Sequence, residues 1–319
     1  MIKSFYFMTA IVFLMVMVVV SLFIGAGNVT LSELWTDSNM REIFFVSRLP
    51  RTLALLLAGS AMSVAGLIMQ LLTQNRFVEP SLVGTTQAAS LGLLVMMVFA
   101  PAASVMIKMV VASLFALFGT LIFMYISRKI MYKSALMVPL IGIMLGAVIS
   151  AITTFFAMYF DLLQSLAGWE SGDFSGILQG RYELLWLVGG LTLLACWNAD
   201  QFTVVGLGRD FSVNVGLNYR RVMLIGLIVI ALIGGIVVVV VGVLPFLGLI
   251  VPNIVSLLMG DNVRKTIPWI CLLGSGLVLI CDIIGRVIRY PFEIPVSVIL
   301  GVIGAVIFLV LLSQKRHVR

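Results

Sequence analysis

Apolar residues run along this chain in long stretches, broken by short polar segments. Ten such stretches stand near 5–24, 52–72, 82–100, 104–126, 135–160, 184–199, 222–242, 243–259, 267–288 and 294–312. An α-helix of roughly 20 residues crosses about 30 Å of hydrocarbon. Backbone groups inside lipid must pair within their own segment, so such runs are read as helices. The apolar tract from 222 to 259 is too long for one crossing, and Gly242 and Pro245 mark its break. The pattern predicts an all-α integral membrane protein with about ten transmembrane helices. No linker or low-complexity tract divides it, so residues 1–319 read as a single polytopic membrane domain. No internal repeat is visible, which gives an inverted-repeat transporter no support.

Composition agrees. Of 319 residues, 62% are hydrophobic and 10% charged, and the mean hydropathy is +1.21. A soluble chain of this length needs far more charge. The net charge of +7 would suggest nucleic acid in a soluble protein. Here the positive-inside rule accounts for it, and no nucleic-acid partner is expected. With the N-terminus in the cytoplasm, thirteen of the 20 Lys and Arg residues fall inside. Most acids then fall outside, and both termini are cytoplasmic. The first stretch follows Lys3 and reads as an uncleaved span. A signal peptide ending near Gly25, Ala26 and Gly27 is the alternative.

Candidate chemistry is sparse. Cys196, Cys271 and Cys281 lie in apolar runs without metal-type spacing, and His317 sits in the basic tail. A histidine-based metal site or catalytic triad is excluded on these counts. The dipeptide Gly-Lys of the nucleotide-binding loop does not occur. Asp282 is the one acid well inside an apolar run. Arg286 follows four residues later on the same helix face, so the two are read as a structural pair. Carriers coupled to protons or sodium usually need further midplane charges. Small residues recur four apart at Gly59 and Ser63, Gly142 and Gly146, and Gly301 and Ala305. They fit close helix packing or the lining of a wide path, and the sequence leaves both open.

The segment 44–90 is the most informative. Arg48-Leu49-Pro50-Arg51-Thr52 puts two arginines on one face at the mouth of a span, with Pro50 at the helix start. They are either interfacial anchors or a positive site on the side poor in positive charge. Further on stand Gln70, Asn75, Glu79, Pro80 and Gly84. Here the chain resembles the FecCD or BtuC-like permeases of iron–siderophore and cobalamin ABC importers. That family carries Arg-Leu-Pro-Arg-Thr, then Gln-x-x-x-x-Asn-Pro-Leu-Ala-Glu-Pro-x-x-Leu-Gly. This chain has Arg76, Phe77 and Val78 where Pro-Leu-Ala is usual. Gly242-Val243-Leu244-Pro245-Phe246-Leu247-Gly248 running on to Pro252-Asn253 is a second match. Asp282-Ile283-Ile284-Gly285-Arg286 with Glu293-Ile294-Pro295 is a third, and the polar loop 205–221 a fourth.

The resemblance implies a permease subunit of an ABC importer that carries an iron–siderophore complex into the cytoplasm across the cell membrane. The chain is then not itself an enzyme and holds no cofactor or metal. Its implied partners are a second permease copy or a homologous permease, two cytoplasmic ATPase subunits and an extracytoplasmic substrate-binding lipoprotein. By resemblance Arg48, Arg51 and Arg286 face that lipoprotein. Gly208, Arg209, Asp210, Phe211, Val215, Gly216 and Leu217 belong to the loop that couples to the ATPase. The rival readings are a self-sufficient secondary transporter or channel, an intramembrane enzyme, and an ABC permease for cobalamin or haem.

Overall fold

Each apolar stretch folds as a helix, the local structure that pairs a segment's backbone within itself. The computed structural model describes residues 2–25, 37–130 and 137–315. The readings that involve Ala26, Gly27, Lys133, Arg316, His317 and Arg319 lie outside them. The helices are α1 (Ile2–Phe23), α2 (Ser38–Ile43), α3 (Leu49–Thr73), α4 (Thr85–Phe99), α5 (Val105–Ile130), α6 (Met137–Tyr159), α7 (Leu163–Glu170), α8 (Leu184–Trp197), α9 (Ala199–Gly206), α10 (Arg209–Asn214), α11 (Tyr219–Val241), α12 (Leu247–Met259), α13 (Val263–Ile288) and α14 (Val296–Lys315). No strand occurs among the described residues. Six helical runs are long and apolar enough to cross a membrane, and four apolar helices are shorter.

The break in the 222–259 tract stands where Gly and Pro predict it. α11 ends at Val241, Gly242 takes φ +97°, Phe246 takes φ +63°, and α12 begins at Leu247. Gly242 is required twice over. Its φ suits glycine, and a Cβ there would fall 2.3 Å from the backbone N of Gly172. The second span starts earlier than the apolar pattern indicated. Asp37 caps α2 by accepting the N–H of Asn39 at 2.9 Å, and the helical run continues to Thr73. A π turn over Phe44–Arg48 joins α2 to α3. Pro50 therefore lies inside a continuous helical run rather than at its beginning. Proline has no N–H, so the carbonyl four residues back loses its helical donor. That carbonyl, Val46 O, accepts the N–H of Gln179 at 2.9 Å instead. The segment between α7 and α8 is thereby tied to the helical run 38–73.

α3 is the axis of the bundle. It packs against α8, α9, α11, α12 and α13, and most of its residues are buried. Small side chains make this crowding geometrically feasible. A Cβ on Gly66 would lie 2.0 Å from Gly248 O, and one on Gly59 would lie 2.7 Å from Gly274 O. α12 and α13 thus approach α3 backbone to backbone. Of the small pairs in the sequence, Gly59 and Ser63 serve packing, since a Cβ on Gly274 would meet Ser63 Oγ at 2.2 Å. α1 stays peripheral, with Val12, Phe13, Met15 and Val19 all more than half exposed. It touches α13 through an edge-on contact of Phe7 with Trp269, ring centroids 5.3 Å apart.

Replacing Gly66 by Val is expected to lower the yield and thermal stability of folded protein in detergent sharply. Overpacking typically costs about 1–3 kcal/mol, and here the clash is with backbone. Gly190→Ala is the control, because nothing lies within 4 Å of the added Cβ. Melting by fluorescence-detected size exclusion reads the difference, and equal melting of the two variants contradicts the packing.

Candidate functional site

At one end of the bundle α1 stops at Phe23. Carbonyls of its last turn have no helical partner. Two arginines from other helices supply the donors. Arg286 Nη1 donates to Ser21 O at 2.9 Å and to Ile24 O at 2.8 Å. Arg48 Nη1 donates to Leu22 O at 3.0 Å and Phe23 O at 2.9 Å. Cations also suit the negative end of the helix dipole. Asp282, 1% exposed, balances this charge. One carboxylate oxygen takes Arg286, as the spacing of four predicts. The other takes Arg51, with Nη2 at 2.7 Å and Nε at 3.2 Å. Arg51 Nη1 reaches on to Glu293 at 2.6 Å.

The resemblance turns Arg48, Arg51 and Arg286 toward a binding lipoprotein, and in the structure all three side chains are largely taken up within the bundle. Arg48 and Arg286 are 8% and 5% exposed, and the Arg51 side chain 12%. The physical reason is that orphan helix carbonyls and a buried carboxylate claim their donors first.

At the other end, the motif residues form one joint. α3 closes with Gln74 in the left-handed region, φ +49°, and Asn75 N–H returns to Gln70 O at 3.0 Å. Asn75 Oδ1 accepts the N–H of Phe77 at 2.9 Å. Pro252 inside α12 deprives Gly248 O of its helical donor. Gln70 Nε2 lies 3.3 Å from that oxygen and 3.4 Å from Leu249 O. Asn253 Nδ2 donates to Leu249 O at 2.7 Å and to Arg76 O at 2.8 Å. Glu79, 5% exposed, accepts Ser81 Oγ at 2.6 Å and the N–H of Phe246 at 3.3 Å, ahead of α12. Pro80 opens a 3-10 turn that ends at Gly84, φ +82°. The residues that depart from the motif each have a place. Arg76 pairs with Asp261 at 2.7 Å, Phe77 lies edge-on to Phe308, and Val78 is fully buried.

Next to this joint lies the segment 205–221. Gly208 takes φ +108° and Gly216 φ +82°, and they bracket α10. Ser212 Oγ donates to Gly208 O at 2.6 Å, and Leu217 N–H to Ser212 O at 2.9 Å. Asp210 sits in the first turn, where its charge suits the helix dipole. Phe211, Val213 and Val215 are about half exposed and point away from the core. Arg209 and Leu217 border a cleft of about 340 Å³ with Arg220. A Cβ on Gly208 would lie 3.1 Å from Gln74 Nε2, so α10 abuts the end of α3.

A larger cavity of about 620 Å³ opens between α4, α6, α7 and the 243–249 segment. Glu79, Phe77 and Phe246 line it, together with Gln87, Thr153 and Glu170. The motif reading flagged Glu79 but missed Gln87, Thr153 and Glu170, which come from separate helices and share no spacing signal.

The joint around Pro252 makes a sharp test. Gln70→Leu leaves Gly248 O without its donor and is expected to destabilise the protein by about 1–3 kcal/mol. Pro252→Ala restores an N–H in α12 and should recover most of that loss in the double variant. Thermal melts of the four proteins in detergent give the coupling. Strictly additive losses contradict the assignment.

Comparison with known proteins now bears on this geometry. The model of the FecCD transport family matches residues 13–314. The petrobactin import system permease protein FatD of Bacillus anthracis is 47% identical over 98% of this chain and 92% of its own length. The petrobactin import system permease protein YclN of Bacillus subtilis (strain 168) is 45% identical over 96% of this chain and 97% of its own. The ferric-anguibactin transport system permease protein FatD of Vibrio anguillarum is 40% identical over 92% and 94%. A solved inward-facing structure, assigned to the metal-chelate type of ABC transporter, shares the fold with a TM-score of 0.84. Its identity is 23%, and the match covers 97% of this chain and 99% of that one. Apolar helices throughout, motif residues that knit them together and a family match across nearly the whole length converge: the chain is a multi-pass membrane protein and belongs to the FecCD transport family.

Proposed function

We propose that this chain is the permease subunit of an ABC importer for a ferric siderophore. The observation that carries this is the family match over 13–314, together with three relatives named for siderophore import. Petrobactin, the cargo named for the two relatives at 47% and 45% identity, is the first to test. The iron arrives already chelated, so it is cargo and asks for no metal ligands from the chain. ATP hydrolysis belongs to two cytoplasmic ATPase subunits, and a second permease, identical or homologous, completes the membrane part.

The chain is a single polytopic domain that crosses the membrane about ten times, with both termini in the cytoplasm. Support comes from the ten apolar helical segments and the basic residues at the Arg76 and Arg209 end. The segment 205–221 is the coupling element. Its half-exposed Phe211, Val213 and Val215 offer an apolar ridge, and Arg209 and Arg220 offer charge beside it. The extracytoplasmic lipoprotein docks at the opposite end. Arg48, Arg51 and Arg286 serve that docking by setting the shape of the rim, and Arg51 with Glu293 lies nearest the surface. The 620 Å³ cavity is this chain's share of the path.

Uptake of radio-iron petrobactin into a strain that lacks this gene tests the cargo, with cobalamin and haem as parallel substrates. Restoration of petrobactin uptake is expected, and restoration of cobalamin or haem uptake alone overturns the siderophore reading. Phe211→Asp with Val215→Asp should leave an inserted permease that no longer co-purifies with its ATPase. Retained ATPase and normal uptake would sink the coupling assignment. Cysteine introduced at Asn218 should be shielded from an impermeant thiol reagent in intact cells, and cysteine at the exposed Ser38 should react. The reverse pattern inverts the topology.

A further inference from the structure

Glu293 is the most loosely held member of the network around Asp282. The Asp282 side chain is fully buried and both its oxygens are taken, one by Arg51 Nε and Nη2 and the other by Arg286. Glu293 holds Arg51 by a single contact, Oε2 to Nη1 at 2.6 Å, and makes no other hydrogen bond among the described residues. Its side chain is 24% exposed against 12% for Arg51, so Glu293 is the member that meets solvent. The backbone beside it is fixed. Ile294 N–H donates to Gly285 O at 3.1 Å, and a Cβ on Gly285 would lie 2.5 Å from Ile294 O. The Glu293 side chain can therefore swing while its turn stays in place. The same turn exposes Tyr290 and Phe292, with Arg289 5.9 Å from the Phe292 ring. Aromatic residues and arginine are enriched in protein contact surfaces.

Arg51 thus has an inner side committed to Asp282 and one outward donor, Nη1, committed to Glu293. An incoming carboxylate can replace Glu293 on Nη1 without moving Asp282 or Arg286. One charge-assisted hydrogen bond then gives way to another, and the Glu293 carboxylate goes to water. The exchange conserves the ion pair, so it adds little net free energy. An acid that docks against Glu293 is bound more weakly than one that meets an open arginine, and it leaves more readily.

We propose that Glu293 is a built-in competitor for docking: it occupies the outward N–H of Arg51 until an acidic side chain of the binding lipoprotein takes its place, and so keeps the docked complex reversible. The proposal rests on the docking reading of Arg51 above. Its test uses the permease with its ATPase in lipid nanodiscs. The probe is the importer's own substrate-binding lipoprotein, produced without its lipid, and biolayer interferometry reads the dissociation constant. Glu293→Gln is expected to tighten binding about fivefold, the upper end for a part-exposed ion pair. Glu42→Gln is the control for overall charge, because Glu42 is exposed on α2 and has no ion pair with Arg51. It should leave the affinity unchanged. In an Arg51→Gln background Glu293→Gln should have no effect. If Arg51→Gln fails to insert, Glu293→Asp supplies the second reading. It keeps the charge, is one methylene too short for the present contact, and should also tighten binding. Unchanged or weaker binding by Glu293→Gln makes Glu293 a strut for its turn and overturns the proposal. Equal tightening by Glu42→Gln, or tightening that persists without Arg51, overturns it as well. The docking reading fails separately, if wild-type binding does not weaken from low to high salt or if Arg51→Gln binds as tightly as wild type.

Discussion

The need to pair every backbone N–H and C=O away from water governs this structure more than any single side chain. Inside hydrocarbon an unpaired group costs several kcal/mol. A regular helix meets the demand by itself, but a transporter cannot consist of regular helices alone. This chain departs from regularity at the end of α1, at Pro50, at Pro252 and at the 242–246 break. At each departure a specific donor or acceptor answers. Arg286 and Arg48 cover four carbonyls at the end of α1. Gln179 covers the carbonyl freed by Pro50. Gln70 and Asn253 cover the carbonyls around Pro252. Glu79 receives the N–H of Phe246. The residues of the family motifs are therefore largely the answers to interruptions in helices, and the interruptions place the cavity.

This logic explains what the sequence disclosed and what it withheld. Helix positions were legible because the apolar runs are long and their breaks carry Gly or Pro. The split between α11 and α12 followed from Gly242 and Pro245 alone. The Asp282–Arg286 pair followed from a spacing of four. The inward turn of Arg48 and Arg286 was not legible. Their partners are main-chain carbonyls more than 20 residues away for Arg48 and more than 250 away for Arg286, and a carbonyl leaves no mark in a sequence. The charge pattern said nothing of which way these arginines face. Gln70 and Pro252 were both singled out, yet only the fold reveals that one completes the hydrogen bonding of the other. Gln87 and Glu170 carried no signal, because the cavity they line is assembled from separate helices that share no motif spacing.

The two ends of the bundle are held by different kinds of contact. Asp282 and Arg286 are almost fully buried, and Arg51 nearly so. Breaking such a network strands a charge and costs about 3–5 kcal/mol. At the α10 end the ion pairs are exposed. Arg76 and Asp261 are 44% and 67% exposed, and Arg264 and Asp200 78% and 68%. Pairs of that kind contribute about 0–1 kcal/mol each. The ion pairs at the end where α10 abuts Gln74 therefore hold that end less firmly than the Asp282 network holds the other. From there hydrogen bonds lead through Gln70 and Asn253 to α12, and through Glu79 to Phe246 at the cavity wall. The side chains that repair the helix breaks are thus also the contacts that join the α10 end of the bundle to the cavity wall, so one set of hydrogen bonds serves both the backbone and the connection between the two regions.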